Sequence, residues 1–395
     1  MNYTGSLHNH TDYSNLRLRD SINRIESLID YAIELGHQVI AITEHESISN
    51  AIKVEKYYNK VKASHPDFKV ILGNEIYLCR EDLTAETYEA GKDKFYHFIL
   101  LAKDAEGHKQ IRELSSRAWS HSFKQGKMVR VPTYYSDLVE IIGKNPGHVI
   151  GSTACLGGFL PSKILQYYAE GQNPNFYGQI INWIQKIENI FGKGNFYLEL
   201  QPSKNKEQIV VNKELIKLSK QLDIKYTITT DSHYLKKEDA PIHKAYLNSQ
   251  EGDREVDEFY ASTYMMSTEE LEEYFDYLSR EELDTAYQNI LEIKDKCEDY
   301  SLIRSLKIPS LDWKIPRVRE ISDEWIARIP YLEKFKSSDF GGDRVLAWAI
   351  ISKLEEDERL RTQEMYDELN QNLEATWISS EVNKTHWSAY FLNLQ

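Results

Sequence analysis

Nine side chains of metal-binding type stand at the ends of separate apolar runs within the first 235 residues, a pattern that points to both a fold and a chemistry. His8 and His10 lie in the opening run Ser6-Leu7-His8-Asn9-His10, with Asp20 shortly after. His45 follows the run 39–43, and Glu75 follows 69–74. His97 begins the run 98–102, Cys155 follows 148–152, and Asp231 and His233 follow 226–230. Imidazole, thiolate and carboxylate on one rim suit zinc or a manganese-like divalent ion. A pocket so lined implies hydrolysis.

The same runs indicate the architecture. Short β-rich stretches alternate with helical ones, the order of parallel strands joined by crossover helices. In a (βα) barrel the carboxyl ends of the strands surround one mouth. At least six of the runs deliver a candidate ligand at or near such an end. The spacing predicts a first helix over 24–35, with Ile25, Leu28, Ile29, Ala32 and Ile33 on one stripe and Gly36 as its stop. Asp104 is the expected cap of a helix carrying Ile111, Leu114 and Trp119. Another helix is expected over 176–191, ended by Gly192.

Leu7-His8-Asn9-His10-Thr11-Asp12-Tyr13-Ser14, Ala41-Ile42-Thr43-Glu44-His45 and Leu72-Gly73-Asn74-Glu75-Ile76-Tyr77 resemble, in order, the first three motifs of the PHP (polymerase and histidinol phosphatase) domain. His97-Phe98-Ile99-Leu100-Leu101-Ala102-Lys103-Asp104, with Gly107 and Leu114-Ser115-Ser116-Arg117-Ala118, is similar to the branch that opens the DNA polymerase III alpha subunit. Ala154-Cys155-Leu156-Gly157-Gly158 and Thr230-Asp231-Ser232-His233-Tyr234 complete the set, so the resemblance runs over about residues 5–300. Glu44 stands where the family usually has Asp, and Glu46 where it usually has Gly. The interval from His10 to Asp20 is lengthened, which makes Asp12 a competitor of Asp20.

The resemblance implies an α/β fold, a distorted TIM-like (βα)7 PHP barrel followed by a mainly helical carboxyl-terminal extension. It also implies two or three divalent ions, Zn2+ and/or Mn2+. His8, His10, Glu75 and Asp231 would hold the first, Glu75, His97 and Cys155 the second, and Asp20, His45 and His233 the third. Glu75 would bridge two ions, and the catalytic roles fall to Glu75, Asp231 and His233.

A chain of 395 residues suggests two or three domains. The barrel is expected over 1–250 and an acidic helical appendage completing the PHP region over 251–300. A linker and helical segment resembling the lead-in to a polymerase palm is expected over 301–395. Ser267-Thr268-Glu269-Glu270 reads as a capping box opening a helix over 271–277, with a second helix over 281–297. Ile308-Pro309, Ile315-Pro316 and Ile329-Pro330 punctuate the linker, and helical periodicity returns over 340–395.

The net charge of −14 resides almost wholly in 251–300, where 17 acidic residues face 4 basic ones; the remainder carries 45 acids and 44 bases. The barrel region therefore neither repels DNA nor offers a basic groove for long duplex. Transient capture of a strand end fits better. Three widely spaced cysteines make a disulfide framework an unsuitable reading and point to a reducing cytoplasm. No apolar stretch approaches a membrane span, and Met1-Asn2-Tyr3-Thr4 reads as no signal peptide. Neither a P-loop nor a Gly-x-Ser-x-Gly signature is present.

The expected function is a metal-dependent phosphodiesterase, a 3′–5′ exonuclease of proofreading type acting on a single-stranded DNA end in replication. Arg17, Arg19, Lys103, Lys124, Lys127 and Arg130 are its candidate phosphate or DNA contacts. Two alternatives stay open: a non-catalytic PHP scaffold serving a separate polymerase palm or another replisome protein, and a small-molecule phosphoesterase of the histidinol-phosphatase type. The resemblance places the palm's aspartates beyond Gln395, so no nucleotide incorporation is expected from this chain alone.

Overall fold

The computed structural model describes residues 1–126, 128–249, 259–305 and 320–393. It divides into two compact units, Met1–Ile303 and Arg304–Gln395. Lys127, residues 251–258 of the acidic stretch, and the Ile308-Pro309 and Ile315-Pro316 steps lie outside the described residues.

The first unit is built on β1 (Val39–Ile42), β2 (Lys69–Cys79), β3 (Tyr96–Ala102), the hairpin β4 (Phe123–Gln125) and β5 (Met128–Arg130), β6 (Thr133–Tyr134), β7 (Val149–Ser152), β8 (Phe196–Leu200) and β9 (Tyr226–Ile228). The main sheet runs β1-β2-β3-β7-β8-β9, with β6 added to the end of β2. Its edges are joined by the amino-terminal segment. On one side the amide groups of Val39, Ala41 and Thr43 donate to the carbonyls of Thr4, Ser6 and Asn9. On the other, Ser232 donates to the His8 carbonyl and His10 to that of Ser232. The sheet thus curls into a closed, irregular barrel. Gly5 makes that closure possible, because at φ +140° a Cβ there would sit 1.7 Å from the Val39 carbonyl oxygen.

The strand directions depart from the all-parallel expectation. β3 runs antiparallel to both β2 and β7, whereas β1–β2, β7–β8 and β8–β9 are parallel. The physical reason lies between β2 and β3: residues 80–95 form no crossover helix, so the chain re-enters beside β2 running backwards. The start of β3, and not its end, therefore meets the ligand-bearing rim.

The helices follow the apolar stripes. Helix Ile25–Glu34 buries Ile25, Leu28, Ile29 and Ala32 against Ile40 and Ile42 of β1, each large side chain contributing roughly 1.5–3 kcal/mol. Asp104 accepts from the Gly107 amide at 2.8 Å and opens helix Ala105–Ser120. Helix Pro174–Phe191 buries Ile180, Trp183, Ile184 and Ile187, and Gly192 ends it at φ +83°. In the acidic stretch, the Ser267–Glu270 capping box opens only the short helix Thr268–Glu272. Helix Arg280–Lys296 turns Leu283, Ala286, Tyr287, Ile290 and Ile293 into the same core as the barrel strands.

The second unit is helical in its described residues. Helices Leu332–Lys336, Gly341–Glu356 and Gln363–Asn383 gather Leu332, Phe335, Ala347, Ile351, Leu354, Tyr366 and Leu373 into a core of their own. Among the described residues, no helix is long and apolar enough to cross a membrane.

Candidate metal centre

All nine candidate ligands converge on one rim of the barrel. His8 and His10, two residues apart, present their Nε2 atoms 3.1 Å from each other and each 3.2 Å from Asp231 Oδ1. Glu75 lies at the middle: Oε1 is 2.7 Å from His97 Nδ1, and Oε2 is 2.5 Å from His45 Nδ1 and 3.5 Å from His10 Nε2. Cys155 Sγ is 3.3 Å from His97 Nδ1. Asp20 Oδ2 lies 3.0 Å from His45 Nε2 and 3.6 Å from His233 Nε2. Three overlapping groups have ligand atoms close enough to hold a metal ion: His8/His10/Glu75, Glu75/His97/Cys155 and His10/His45/His233. The cluster is buried; of the nine, only the His97 side chain reaches solvent appreciably, at 26%.

The backbone bends sharply to bring these groups in. Glu46, Ala154 and Asp231 adopt left-handed conformations, at φ +50°, +57° and +48°, and each is a ligand or adjoins one. Such positions cost on the order of 1 kcal/mol or more for a non-glycine residue and gather at functional sites. Isolated bridges pin the turns: His45 to Glu75, His97 to Gly158, and Asn9 to Ser232.

A layer of buried acceptors and hydroxyls orients the imidazoles. His8 Nδ1 lies 2.7 Å from Glu199 Oε1. An ionised carboxylate only accepts, so His8 carries a proton on Nδ1, and in the neutral ring its Nε2 lone pair faces the cluster. Ser14 donates to Glu44 at 2.5 Å and accepts from His10 Nδ1 at 2.9 Å, which frees His10 Nε2 in the same way. His233 Nδ1 donates to the Asp231 carbonyl at 2.7 Å, and the Tyr77 hydroxyl lies 2.9 Å from His45 Nδ1.

The donor set fits divalent cations. Asp20 Oδ1, Glu75 Oε2 and Asp231 Oδ1 are buried and have no hydrogen-bond partner among the described residues. Glu75 Oε2 is close to His45 Nδ1, but not in hydrogen-bonding geometry. Buried carboxylate oxygens left in this state call for a positive charge. The titration of the cluster says the same. Burial disfavours protonated His8, yet Asp231, Glu199 and Glu75 outweigh it and raise the ring to about 10. Burial, with His45 and His233 beside it, lowers His10 to about 3. Against burial, the neighbouring imidazoles hold Glu75, Asp20 and Asp231 well below the usual carboxylate range. Burial pushes the Cys155 thiol up, and the Asp231 and Glu75 charges add to it.

Asp20, and not its competitor, enters the cluster; Asp12 instead lies 3.6 Å from Arg24. The basic candidates scatter. Arg17 is buried against Glu46 at 2.7 Å, while Arg19 and Lys124 are on the surface. Arg130 lies 4.7 Å from the centre of the Phe95 ring, two residues before His97. Lys103 is not brought to the rim. It lies six residues beyond His97, roughly 20 Å along an extended strand, and its Nζ donates to the Gly147 carbonyl and Asn195. Sequence reasoning missed Glu199, Glu44, Ser14 and Tyr77. Glu199 did leave a sign: a lone carboxylate inside the apolar run 196–200 is a buried charge that needs a partner.

Residues 6–203 match the PHP domain model. The chain belongs to the PHP domain family. Over 98% of its length it is 36% identical to a DNA-directed DNA polymerase of Bacillus phage SPbeta, of which it covers 31%. It is 30% identical to the DNA polymerase III alpha subunit of Borreliella burgdorferi over 75% of this chain and 24% of that one. The corresponding subunit of Aquifex aeolicus is 27% identical over 98% of this chain and 30% of its own length. The chain thus spans about a third or less of the length of these curated relatives.

Proposed function

We propose that this chain is a metal-dependent phosphodiesterase that removes nucleotides from the 3′ end of single-stranded DNA, in the cytoplasm and in association with a replicative polymerase. The observation that carries the reading is the set of three unpartnered buried carboxylate oxygens, on Asp20, Glu75 and Asp231, of which those of Glu75 and Asp231 lie directly beside imidazole nitrogens. In this reading His8, His10, Asp20, His45, Glu75, His97, Cys155, Asp231 and His233 hold two or three Zn2+ or Mn2+ ions, and Glu75 is shared. Bound there, such ions would supply Lewis acidity and lower the pKa of water towards about 7.

The chain's own groups do the rest. Asp231 Oδ1, unpartnered and 3.2 Å from two imidazoles, is placed to accept a hydrogen bond from the attacking water. With only two ions bound, the third position is free and its His233–Asp20 pair, whose Nε2 and Oδ2 lie 3.6 Å apart, can take up the proton released. His97, the most open of the nine, marks the side from which a strand end would enter. The DNA-polymerase names of the relatives support nucleic acid as the substrate, and partnership with a palm or another replisome protein belongs to the same proposal.

The test offers the Mn2+- or Zn2+-supplemented chain 5′-labelled single-stranded DNA, 3′-labelled DNA and a small phosphomonoester. Stepwise shortening from the 3′ end is the expected result. Hydrolysis of the monoester alone would move the assignment to a small-molecule phosphoesterase, and no hydrolysis at full metal content would favour a scaffold.

A further inference from the structure

We propose that Arg17 receives the non-bridging oxygens of the phosphate at this centre, and that Glu46 is the positioning residue that aims it. This inference rests on the phosphodiesterase reading above but can fail separately from it.

Arg17 and Glu46 form a buried pair: their side chains are 3% and 2% exposed, and Arg17 Nε donates to Glu46 Oε2 at 2.7 Å. The pair is incomplete. Arg17 Nη1 and Glu46 Oε1 are both buried without a partner among the described residues. A guanidinium cannot shed its proton in a protein, so its unspent donors stay charged and need an acceptor. The planar fork matches two oxygens of a phosphate, a geometry lysine lacks.

Its position is one ring away from the cluster. The guanidinium carbon lies 5.2 Å from the centre of the Tyr77 ring, and the Tyr77 hydroxyl is 2.9 Å from His45 Nδ1. Arg17 is therefore stacked on a ring whose far end touches the cluster. Among the described candidate DNA contacts, Arg17 is the only basic side chain that is both buried and one residue removed from a cluster imidazole.

Glu46 is fixed from behind. Its amide donates to the Glu75 carbonyl and its carbonyl accepts from Trp119 Nε1, both at 2.7 Å. It holds φ +50°, where glycine would be at ease. The carboxylate thus takes the Nε side of the fork and leaves Nη1 for a ligand. A merely neutralising pair would use both carboxylate oxygens and more than one guanidinium nitrogen.

The experiment compares the full metal-loaded chain with Arg17→Met, Arg17→Lys and Glu46→Gly. Metal content, melting temperature, binding of inorganic phosphate by calorimetry, and kcat and KM on bis(p-nitrophenyl) phosphate are the readouts. Arg17→Met should keep its metal, lose at least tenfold in phosphate affinity and about 100-fold in kcat/KM, and recover part of the rate with added guanidinium ion. Arg17→Lys, which retains the charge, should fold and still bind phosphate more weakly than the parent. Glu46→Gly relieves the left-handed strain but leaves the buried guanidinium without its carboxylate, so it should melt below the parent while its phosphate affinity falls. Unchanged phosphate affinity in Arg17→Met overturns the proposal, as does loss of metal from that variant. Unchanged phosphate affinity in Glu46→Gly overturns the positioning role. If the parent binds phosphate through Arg17 yet cleaves no diester, this inference stands and the phosphodiesterase reading falls.

Discussion

Glu75 Oε1 and His97 Nδ1 meet at 2.7 Å across strands that run in opposite directions. Glu75 sits in the middle of β2, where its other oxygen also lies 2.5 Å from His45. One carboxylate thus contacts two of the candidate metal groups. Glu75→Gln should keep the barrel folded but abolish hydrolysis, because a neutral amide cannot offset the charge of two adjacent cations. Circular dichroism and the diester assay check it together. A folded Glu75→Gln protein with full activity would falsify the shared role.

Protons and cations compete for the same lone pairs here. With Asp231 and Glu199 beside it, His8 is raised to about 10, and the neighbouring carboxylates raise His45 and His233 as well. At neutral pH the ion-free His8 and His45 rings therefore hold protons that a metal must displace. Apparent affinity should rise with pH and weaken on acidification. Calorimetry of Mn2+ or Zn2+ uptake in buffers of different ionisation enthalpy should record proton release. Proton-neutral binding across pH 6 to 8, read as about zero buffer dependence, would contradict this.

Much of this centre could be read before its geometry was seen. The nine ligand types, their order and the helix caps at Asp104 and Gly192 all follow from local chemistry that needs only short stretches of chain. The reversal of β3 is different, since strand direction depends on how long-range pairing resolves. A sign was present, because His97 precedes its apolar run while the other strand-end ligands follow theirs. Glu44 illustrates the limit: Thr11, Ser14 and Asn50 all donate to it, but those partners are brought together only by the closed barrel.

Glu199 offers a test of the supporting layer. It accepts from His8 Nδ1 at 2.7 Å and also from Ser152, Thr229 and Gln201. Replacing it with Gln leaves the volume but puts an amide where a full negative charge fixed the His8 tautomer. Metal affinity or activity should drop about 10- to 100-fold, the range found for partners of ligating histidines. Competition with a metallochromic chelator measures the affinity; an unaltered dissociation constant would remove Glu199 from the site.

Stability should also depend on a histidine far from the cluster. His37 is buried, donates from Nε2 to the Met266 carbonyl at 3.1 Å, and leaves Nδ1 without a partner among the described residues. Burial lowers it from 6.5 to about 4. A base with a depressed folded-state pKa is harder to protonate folded than unfolded. Its contribution is therefore complete above pH 6.5 and is lost as the pH falls towards 4. The slope should be on the order of 1 kcal/mol per pH unit in that window. Denaturant titrations of the chelator-treated parent and His37→Gln should diverge there. Parallel curves would mean that His37 does not titrate on unfolding.

Gly157 sets the position of His97. A Cβ at Gly157 would lie 2.9 Å from His97 Cδ2 and 3.0 Å from Cγ and Nε2, too close for the ring to stay. His97 is partly open to solvent, so the ring can swing away without disturbing the core. Gly157 has no positive φ, and alanine adds no backbone strain there. Gly157→Ala should therefore fold normally yet dismantle the Glu75/His97/Cys155 group, leaving His8, His10, His45 and His233 in place. Elemental analysis after reconstitution should show one bound ion fewer than the parent, with an unchanged melting temperature in chelator. Parent-like metal content would show that the ring accommodates the methyl group or that this group holds no ion. The neighbouring Gly158→Ala is the harsher control, because its Cβ would meet the Thr153 carbonyl at 2.4 Å and a main-chain atom cannot swing aside. That variant should lose stability as well as metal, which separates displacement of a ligand from collapse of the loop that carries Cys155.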